Sequence, residues 1–209
     1  MRLNQHTKLV GHRAVLVPYC IHHVPNAHFA YRYHEWMKSP ELLELTASEQ
    51  LSLEEEYQMQ QTWLKDDNKC TFIVLDAEKL NTSTETGNRK NAMVGDVNLF
   101  LNDPDDVSVG EIEIMTAESS SRRKGIASEA LTAMMRYANE KLAVTKFVAK
   151  VGQNNAASRS FFQKLEFKQV SLNAVFHEVV LERLITGEER QKLLDSTSHV
   201  VIDHYDRSS

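Results

Sequence analysis

The sequence predicts an α/β domain, one central mixed sheet with helices on both faces. Three observations carry that reading. Short apolar segments, several with period-2 alternation, recur at 14–19, 70–76, 93–101, 110–115 and 145–151. Amphipathic stretches lie between them; the clearest spaces Ile126, Ala130, Ala133, Met134, Tyr137 and Ala138 along one helical face. No internal repeat or linker divides the 209 residues, a length that suits one hydrophobic core.

The elements follow in order. Ala14-Val15-Leu16-Val17-Pro18-Tyr19 is the first strand, ended at or just after Pro18. Residues 20–34 are rich in histidine and aromatics and show no period. Tyr33-His34-Glu35-Trp36-Met37 reads as the end of a short helix stopped by Ser39-Pro40. A helix then runs to about Leu64, with Ser52 as N-cap and Glu55 completing a capping box. Glu54-Glu55-Glu56 reads as its solvated start, favoured by the helix dipole. After the strand at 70–76, the polar stretch 79–92 is expected to be a mobile hairpin loop. The next strand, 93–101, puts Val97, Leu99 and Leu101 on one face.

In 110–115, Ile112 and Ile114 share one face and Glu111 and Glu113 the other. Ser119-Ser120-Ser121 supplies turn and N-cap chemistry before a helix from about Lys124 to Leu142. A strand at 145–151, a helix from about Asn155 to Leu165, and strands near 167–172 and 174–184 complete the pattern. Beyond Thr186 the chain is highly charged, with one helical turn around 189–194, and is expected to pack little. The expected division is a domain over 1–185 and a polar tail over 186–209.

Composition narrows the function classes. The net charge is −5, so no nucleic-acid partner held by global charge is expected. The acidic balance favours a basic substrate only weakly. Cys20 and Cys70 cannot build a disulfide framework, which points to a reducing compartment. No apolar signal region follows Met1-Arg2-Leu3-Asn4-Gln5, and no run is long enough to span a membrane. The expected location is the cytoplasm, with the nucleus left open. His22, His23, His28 and His34 match no metal-ligand spacing and read as a polar loop, so no metal is expected. Trp36 and Trp63 read as core or cleft-wall residues, with Trp36 also a candidate acceptor contact.

The basic string Arg122-Arg123-Lys124-Gly125-Ile126-Ala127 sits between a strand and a helix. The first turn of a helix has backbone N–H groups with no intrahelical partner, and with the helix dipole they hold an anion. Gly125 removes a side chain where a phosphate must approach the backbone. Downstream, in Asn155-Ala156-Ala157-Ser158-Arg159-Ser160-Phe161-Phe162-Gln163-Lys164-Leu165-Glu166-Phe167, Asn155 can cap a helix and present an amide, while Phe161, Phe162 and Leu165 can pack along an apolar arm.

These two strings, in this order and about 30 residues apart, resemble the pyrophosphate loop and the second signature of the GNAT superfamily of acetyl-coenzyme A-dependent N-acetyltransferases. The resemblance implies a single mostly antiparallel mixed sheet, splayed between the fourth and fifth predicted strands to admit acetyl-CoA. It assigns Met115, Thr116, Ala117, Arg122, Arg123, Lys124, Gly125, Ile126, Ala127, Asn155, Ser158 and Phe162 to the acetyl-CoA site. A backbone N–H in 115–117 would face the developing oxyanion, while the same edge pairs with the pantetheine arm.

Further strings, at 33–37, 45–49, 69–76, 93–101 and 197–200, resemble a branch of the superfamily that acts on protein amines. The acceptor it implies is the N-terminal α-amine of alpha/beta-tubulin or of another protein, with microtubule association. The chain departs from the family pattern at four places. Residues 26–32 look like an extra segment, Arg123 stands for a frequent Gly, Glu166 for the usual turn Gly, and Phe162 for a common tyrosine acid.

The implied reaction is direct attack of a neutral amine on a thioester. An α-amine of pKa about 8 loses its proton more readily than a lysine at about 10.4. Either Glu111 or Glu113 could take that proton, with Asp96 and Asn98 as candidates for holding the acceptor. Phe162 cannot protonate a thiolate, which leaves water, another group or the departing ammonium proton for that task. Two other classes stand beside this one. One is a weakly active or inactive GNAT-fold protein that binds coenzyme A or microtubules; the other is a small-amine acetyltransferase.

Overall fold

The alternating segments β1 (Thr7–Val10), β2 (Ala14–Pro18), β3 (Lys69–Asp76), β4 (Met93–Phe100), β5 (Val109–Thr116), β6 (Lys146–Gly152), β7 (Lys168–Asn173), β8 (Glu178–Leu184) and β9 (Val201–His204) pair into one sheet. The strand order is β7-β8-β6-β5-β4-β3-β2-β1-β9. The computed structural model describes residues 2–24, 32–82 and 92–207. The extra segment at 26–32 lies outside them apart from Arg32, and so does most of the polar loop at 79–92. The helices are α1 (Arg32–Trp36), α2 (Pro40–Leu45), α3 (Leu53–Lys65), α4 (Ala77–Asn81), α5 (Ile126–Lys141), α6 (Ala156–Lys164) and α7 (Gly187–Ser196).

Every neighbouring pair is antiparallel except β5–β6. A parallel pair needs a crossover connection, and α5 supplies it. The β5–β6 register holds only for Val109↔Lys146, Gly110↔Phe147 and Glu111↔Val148, after which the strands part. β5 stays paired to β4 as far as Thr116. From Ile112 onward, therefore, the β6-facing edge of β5 has no strand partner among the described residues. This is the expected splay.

Strand alternation sends side chains to two cores. On one face, Leu16, Phe72, Val97, Leu99, Ile112 and Phe147 lie under Ala130, Leu131, Met134 and Ala138 of α5. Each such fully buried aliphatic side chain contributes about 1.5–3 kcal/mol. On the other face, Val17, Tyr19, Ile73, Met93 and Met115 meet Tyr33 and Trp36 of α1 and Leu42 of α2. The predicted capping box is present: Ser52 Oγ accepts from Glu55 N–H at 3.3 Å, and Glu55 Oε2 accepts from Ser52 N–H at 2.8 Å.

Three expectations change. Glu56 is not solvated but fully buried, 3.2 Å from His34 Nδ1, and so ties α3 to α1. The segment after Thr186 does not lie loose. Leu193 of α7 joins the main core, Arg136 of α5 donates to the Thr197 and Val200 carbonyls at 2.6 and 3.2 Å, and β9 pairs with β1. Ser119–Ser121 forms a 3-10 turn but does not cap α5; Gly125, at φ +80°, occupies that position. Arg123 and Glu166 keep the left-handed backbone of the glycines they replace, at φ 63° and 64°. At the second, Glu166 Oε2 accepts from Arg183 Nη2 at 2.6 Å, which offsets part of the strain.

Candidate active site

The splay opens a cleft of about 770 Å3. Ile114, Met115 and Thr116 form its β5 wall. Arg122, Arg123, Gly125, Ile126, Ala127 and Ser128 close one end. Asn155, Ala157, Ser158, Ser160, Phe161 and Lys164 line the α6 side, and Leu42, Leu45 and Thr46 come from the region of α2. The N-terminus of α5 has no side-chain cap, so the first-turn N–H groups of Ile126, Ala127 and Ser128 remain donors for an anion. Arg122 adds charge beside them. Its Nε donates to the Thr116 carbonyl at 3.3 Å, and its Nη1 lies 3.5 Å from Glu41 Oε1. Volume, donors and charge together fit the pyrophosphate and arm of acetyl-CoA.

Of the residues assigned to that site, Met115, Thr116, Arg122, Arg123, Gly125, Ile126, Ala127, Asn155 and Ser158 line this one cleft. Asn155 caps α6, its side chain accepting from Ser158 N–H at 2.9 Å, which leaves its amide nitrogen as a donor. The other three lie elsewhere. Ala117 spends its N–H on the Val94 carbonyl at 2.9 Å. Lys124 lines a separate recess of about 380 Å3 with His12, Arg13, Asp76 and Glu78. Phe162 is 3% exposed and packs edge-on against Phe161 and Phe167, because the helical period turns it to the core and leaves Phe161 on the cleft.

The two glutamates have different surroundings. Lys150 Nζ donates to Glu111 Oε2 at 2.6 Å. Glu113 has no hydrogen bond or ion pair among the described residues. Its side chain reaches solvent, yet desolvation by the surrounding walls, with the Glu111 and Asp96 carboxylates nearby, pushes its carboxyl up to about 7. Lys69 works against that rise.

Lys69 is itself unusual. It is 3% exposed, and its ammonium lies 3.7 Å from the centre of the Trp63 ring and 3.6 Å from that of Phe100. Burial pulls it down to about 8 against the pull of Glu113 and Asp96.

Asp96 and Asn98 lie beneath this surface. Tyr33 donates to Asp96 Oδ2 at 2.9 Å, Asn98 Nδ2 donates to the same oxygen at 3.2 Å, and Thr71 Oγ1 donates to Asn98 Oδ1 at 2.6 Å. Burial raises the Asp96 carboxyl despite these donors. Asn98 lies directly opposite Glu113 across β4–β5. Trp36 is 7% exposed and donates its indole N–H to Glu118 Oε1 at 2.9 Å, so it fixes α1 to the loop after β5.

Sequence reading missed Lys69, Tyr33 and Phe100. A lysine at the head of an apolar strand run was the available signal for the first. Two groups of ligand-type side chains also converge among the described residues, Cys20 with His22 and His23, and His12 with Glu129 and His199. In the first, His23 Nδ1 accepts from Cys20 N–H at 2.9 Å, and burial pushes His23 down to about 3. His28 lies outside the described residues.

Comparison with known proteins agrees with this fold. Residues 13–168 match the family described as Acetyltransferase (GNAT) domain. The chain is 54% identical over 200 residues to human Alpha/beta-tubulin-N-acetyltransferase 9, covering 96% of this chain and 94% of that protein. The protein of that name from Drosophila melanogaster is 48% identical over 192 residues, covering 90% and 92%. Among solved structures, a GNAT acetyltransferase from Bacillus anthracis superposes with a TM-score of 0.63 at 14% identity, covering 85% of this chain and 98% of that one. Spermidine N-acetyltransferase from Vibrio cholerae, in complex with CoA and spermine, superposes at 0.61 with 16% identity, covering 87% and 96%.

Proposed function

The chain belongs to the GNAT acetyltransferases, enzymes dependent on acetyl-CoA, and from that premise we propose that it acetylates a protein N-terminal α-amine, that of alpha/beta-tubulin first, with Glu113 as general base. The tubulin acceptor rests on the names of the relatives. The assignment of the base rests on one observation. Of the two carboxylates on that face of β5, Glu111 is held by Lys150, and Glu113 is unpaired among the described residues and has a raised pKa. A carboxyl near 7 matches the operating pH of a general base.

Bound in the cleft, acetyl-CoA supplies an activated thioester acyl group. The residues of the chain then divide the work. Uncapped N–H groups of α5, with Arg122 and Arg123, hold the pyrophosphate. Because Ala117 turns its N–H to β4, strand alternation turns that of Thr116 to the cleft, where it serves the acetyl oxygen as negative charge develops there. Glu113 takes the proton from the acceptor ammonium, directly or through one water; the nitrogen–acetyl bond then forms as the thioester C–S bond breaks, and the leaving thiolate takes the proton of the acetylated nitrogen or one from water. Asp96 and Asn98, linked to Tyr33 and Thr71, brace the floor under the acceptor, and Trp36 holds α1 to the loop beside it. Such an enzyme would work in the cytoplasm beside its acceptor, a reading supported by the free thiols of Cys20 and Cys70.

Phe162 favours one other reading. A buried phenylalanine donates no proton, as suits a coenzyme A-binding protein of low turnover. Mass spectrometry of tubulin N-terminal peptides incubated with acetyl-CoA separates the two. Wild type should acetylate the α-amine, Glu113→Gln and Gly125→Glu should lose most of the product, and Glu111→Gln should keep more of it. Coenzyme A binding without product on peptides or polyamines would favour the non-enzymatic reading.

A further inference from the structure

We infer that His199, acting through Glu129, positions the turn between β1 and β2 behind the Gly125 corner and thereby sets the affinity of the cleft for coenzyme A. The inference rests on the acetyl-CoA reading above. It starts from Glu129, the fourth residue of α5 and thus one turn from the uncapped N–H groups. Glu129 Oε2 accepts from the Arg13 N–H at 2.6 Å and the Ala14 N–H at 2.7 Å. Its Oε1 lies 2.8 Å from His199 Nε2. A carboxylate only accepts, so that imidazole nitrogen carries the proton. Burial works to raise the Glu129 carboxyl, but these donors outweigh it and hold it low, hence ionised.

A Cβ on Gly11 would collide with Glu129 Oε2, so the turn fits around the carboxylate only because residue 11 is glycine. A Cβ on Gly125 would collide with Arg13 Nη1, so the Arg13 side chain backs the left-handed corner from the side away from the cleft. The His12 and His199 rings stack with centres 4.4 Å apart, which closes the cluster on its outer side. His199 is held from below by the two Arg136 bonds to the carbonyls of Thr197 and Val200. One path therefore runs from the C-terminal segment through Glu129 and Arg13 to Gly125, where the pyrophosphate donors begin. None of these contacts reaches Glu113 or the acceptor side.

His199 is accordingly a positioning residue. The test is calorimetric titration of coenzyme A into the purified full chain, with KM and kcat measured alongside. His199→Ala is expected to weaken the dissociation constant roughly three- to tenfold, the scale of a typical net hydrogen bond, since the lost contact acts on the cleft only through Glu129. Stoichiometry should stay near one, the acetyl-CoA KM should rise in parallel, and kcat should hold. His199→Gln, whose amide can donate to the same oxygen, should restore most of the affinity. Gly11→Ala presses on Glu129 from the other side and should weaken binding in the same way with His199 intact. Arg190→Ala frees the 3.0 Å bond from α7 to Asn139 without touching the cluster and should leave affinity unchanged. If His199→Ala binds coenzyme A like wild type, or only its stoichiometry falls, His199 does no more than stabilise the fold and the inference is overturned. If wild type itself does not bind coenzyme A, the acetyl-CoA reading fails first and takes this inference with it.

Discussion

Tyr33 donates its phenolic hydrogen to Asp96 at 2.9 Å, joining α1 to β4 beneath the proposed acceptor side of the cleft. Both residues are buried, at 4% and 3% exposure, so the bond is shielded from water. Tyr33→Phe keeps the ring against Tyr19 and Trp36 but leaves Asp96 with only Asn98 as a side-chain donor. Denaturant unfolding should show a loss of about 1.5–3 kcal/mol, the range for a hydrogen bond to a charged group. The acceptor KM should rise more than that for acetyl-CoA, because α1 does not line the pyrophosphate end. Equal rises would break the link drawn between α1 and the acceptor.

The raised carboxyl of Glu113 fixes two pH dependences. As a base it works when ionised, so activity on a free peptide should climb through pH about 7, apart from the limb of the α-amine near 8. Glu113→Gln should lose the lower limb. For stability the sign is opposite. The folded state holds this proton up to about 7, while the unfolded carboxyl releases it near 4.5. The stabilising share of Glu113 is therefore fully present below about 4.5 and lost as pH rises to about 7. Glu113→Gln should gain stability relative to wild type between those limits, and unfolding curves at pH 5 and pH 8 measure the gain.

Lys69 sets where that limb falls. Its ammonium attracts the Glu113 carboxylate and lowers its pKa against burial. Lys69→Met keeps a long apolar stem between Trp63 and Phe100 but removes the charge. The activity midpoint assigned to Glu113 should move to higher pH. Lys69 also titrates, down from 10.5 to about 8 in the folded state, so wild type should lose stability as pH falls through that window. Lys69→Met should be flat there. An unshifted activity midpoint would separate Lys69 from the base.

Periodicity and the two motifs make most of this architecture legible in the amino-acid sequence. The α5 and α6 segments, the β5 alternation and the Ser52 cap are local properties, each fixed by neighbours within one or two turns. What escaped was non-local. β1 and β9 are only four residues each and gain their meaning from pairing with one another across the length of the chain. α7 reads as charged because its exposed positions dominate; Leu193 alone carries it into the core. Glu111 and Glu113 are equivalent in sequence. Lys150, two residues beyond Val148, the β6 partner of Glu111, reaches back to Glu111 and distinguishes them. Phe161 and Phe162 are adjacent, and the helical turn alone decides which one meets the cleft.

Gly125 shows how a local requirement and a distant one can fall on one residue. At φ +80° any side chain there meets the left-handed penalty, about 1–2 kcal/mol. A Cβ would in addition strike Arg13 Nη1, which belongs to a turn more than a hundred residues away. Gly125→Ala should therefore cost more than the backbone term alone, by whatever Arg13 needs to move aside. Arg13→Ala removes the obstacle, so in the double variant Gly125→Ala should cost only the backbone term. Unfolding free energies of wild type, both single variants and the double variant close this cycle. If the cost of Gly125→Ala is the same with and without Arg13, the turn between β1 and β2 does not bear on the corner that opens α5.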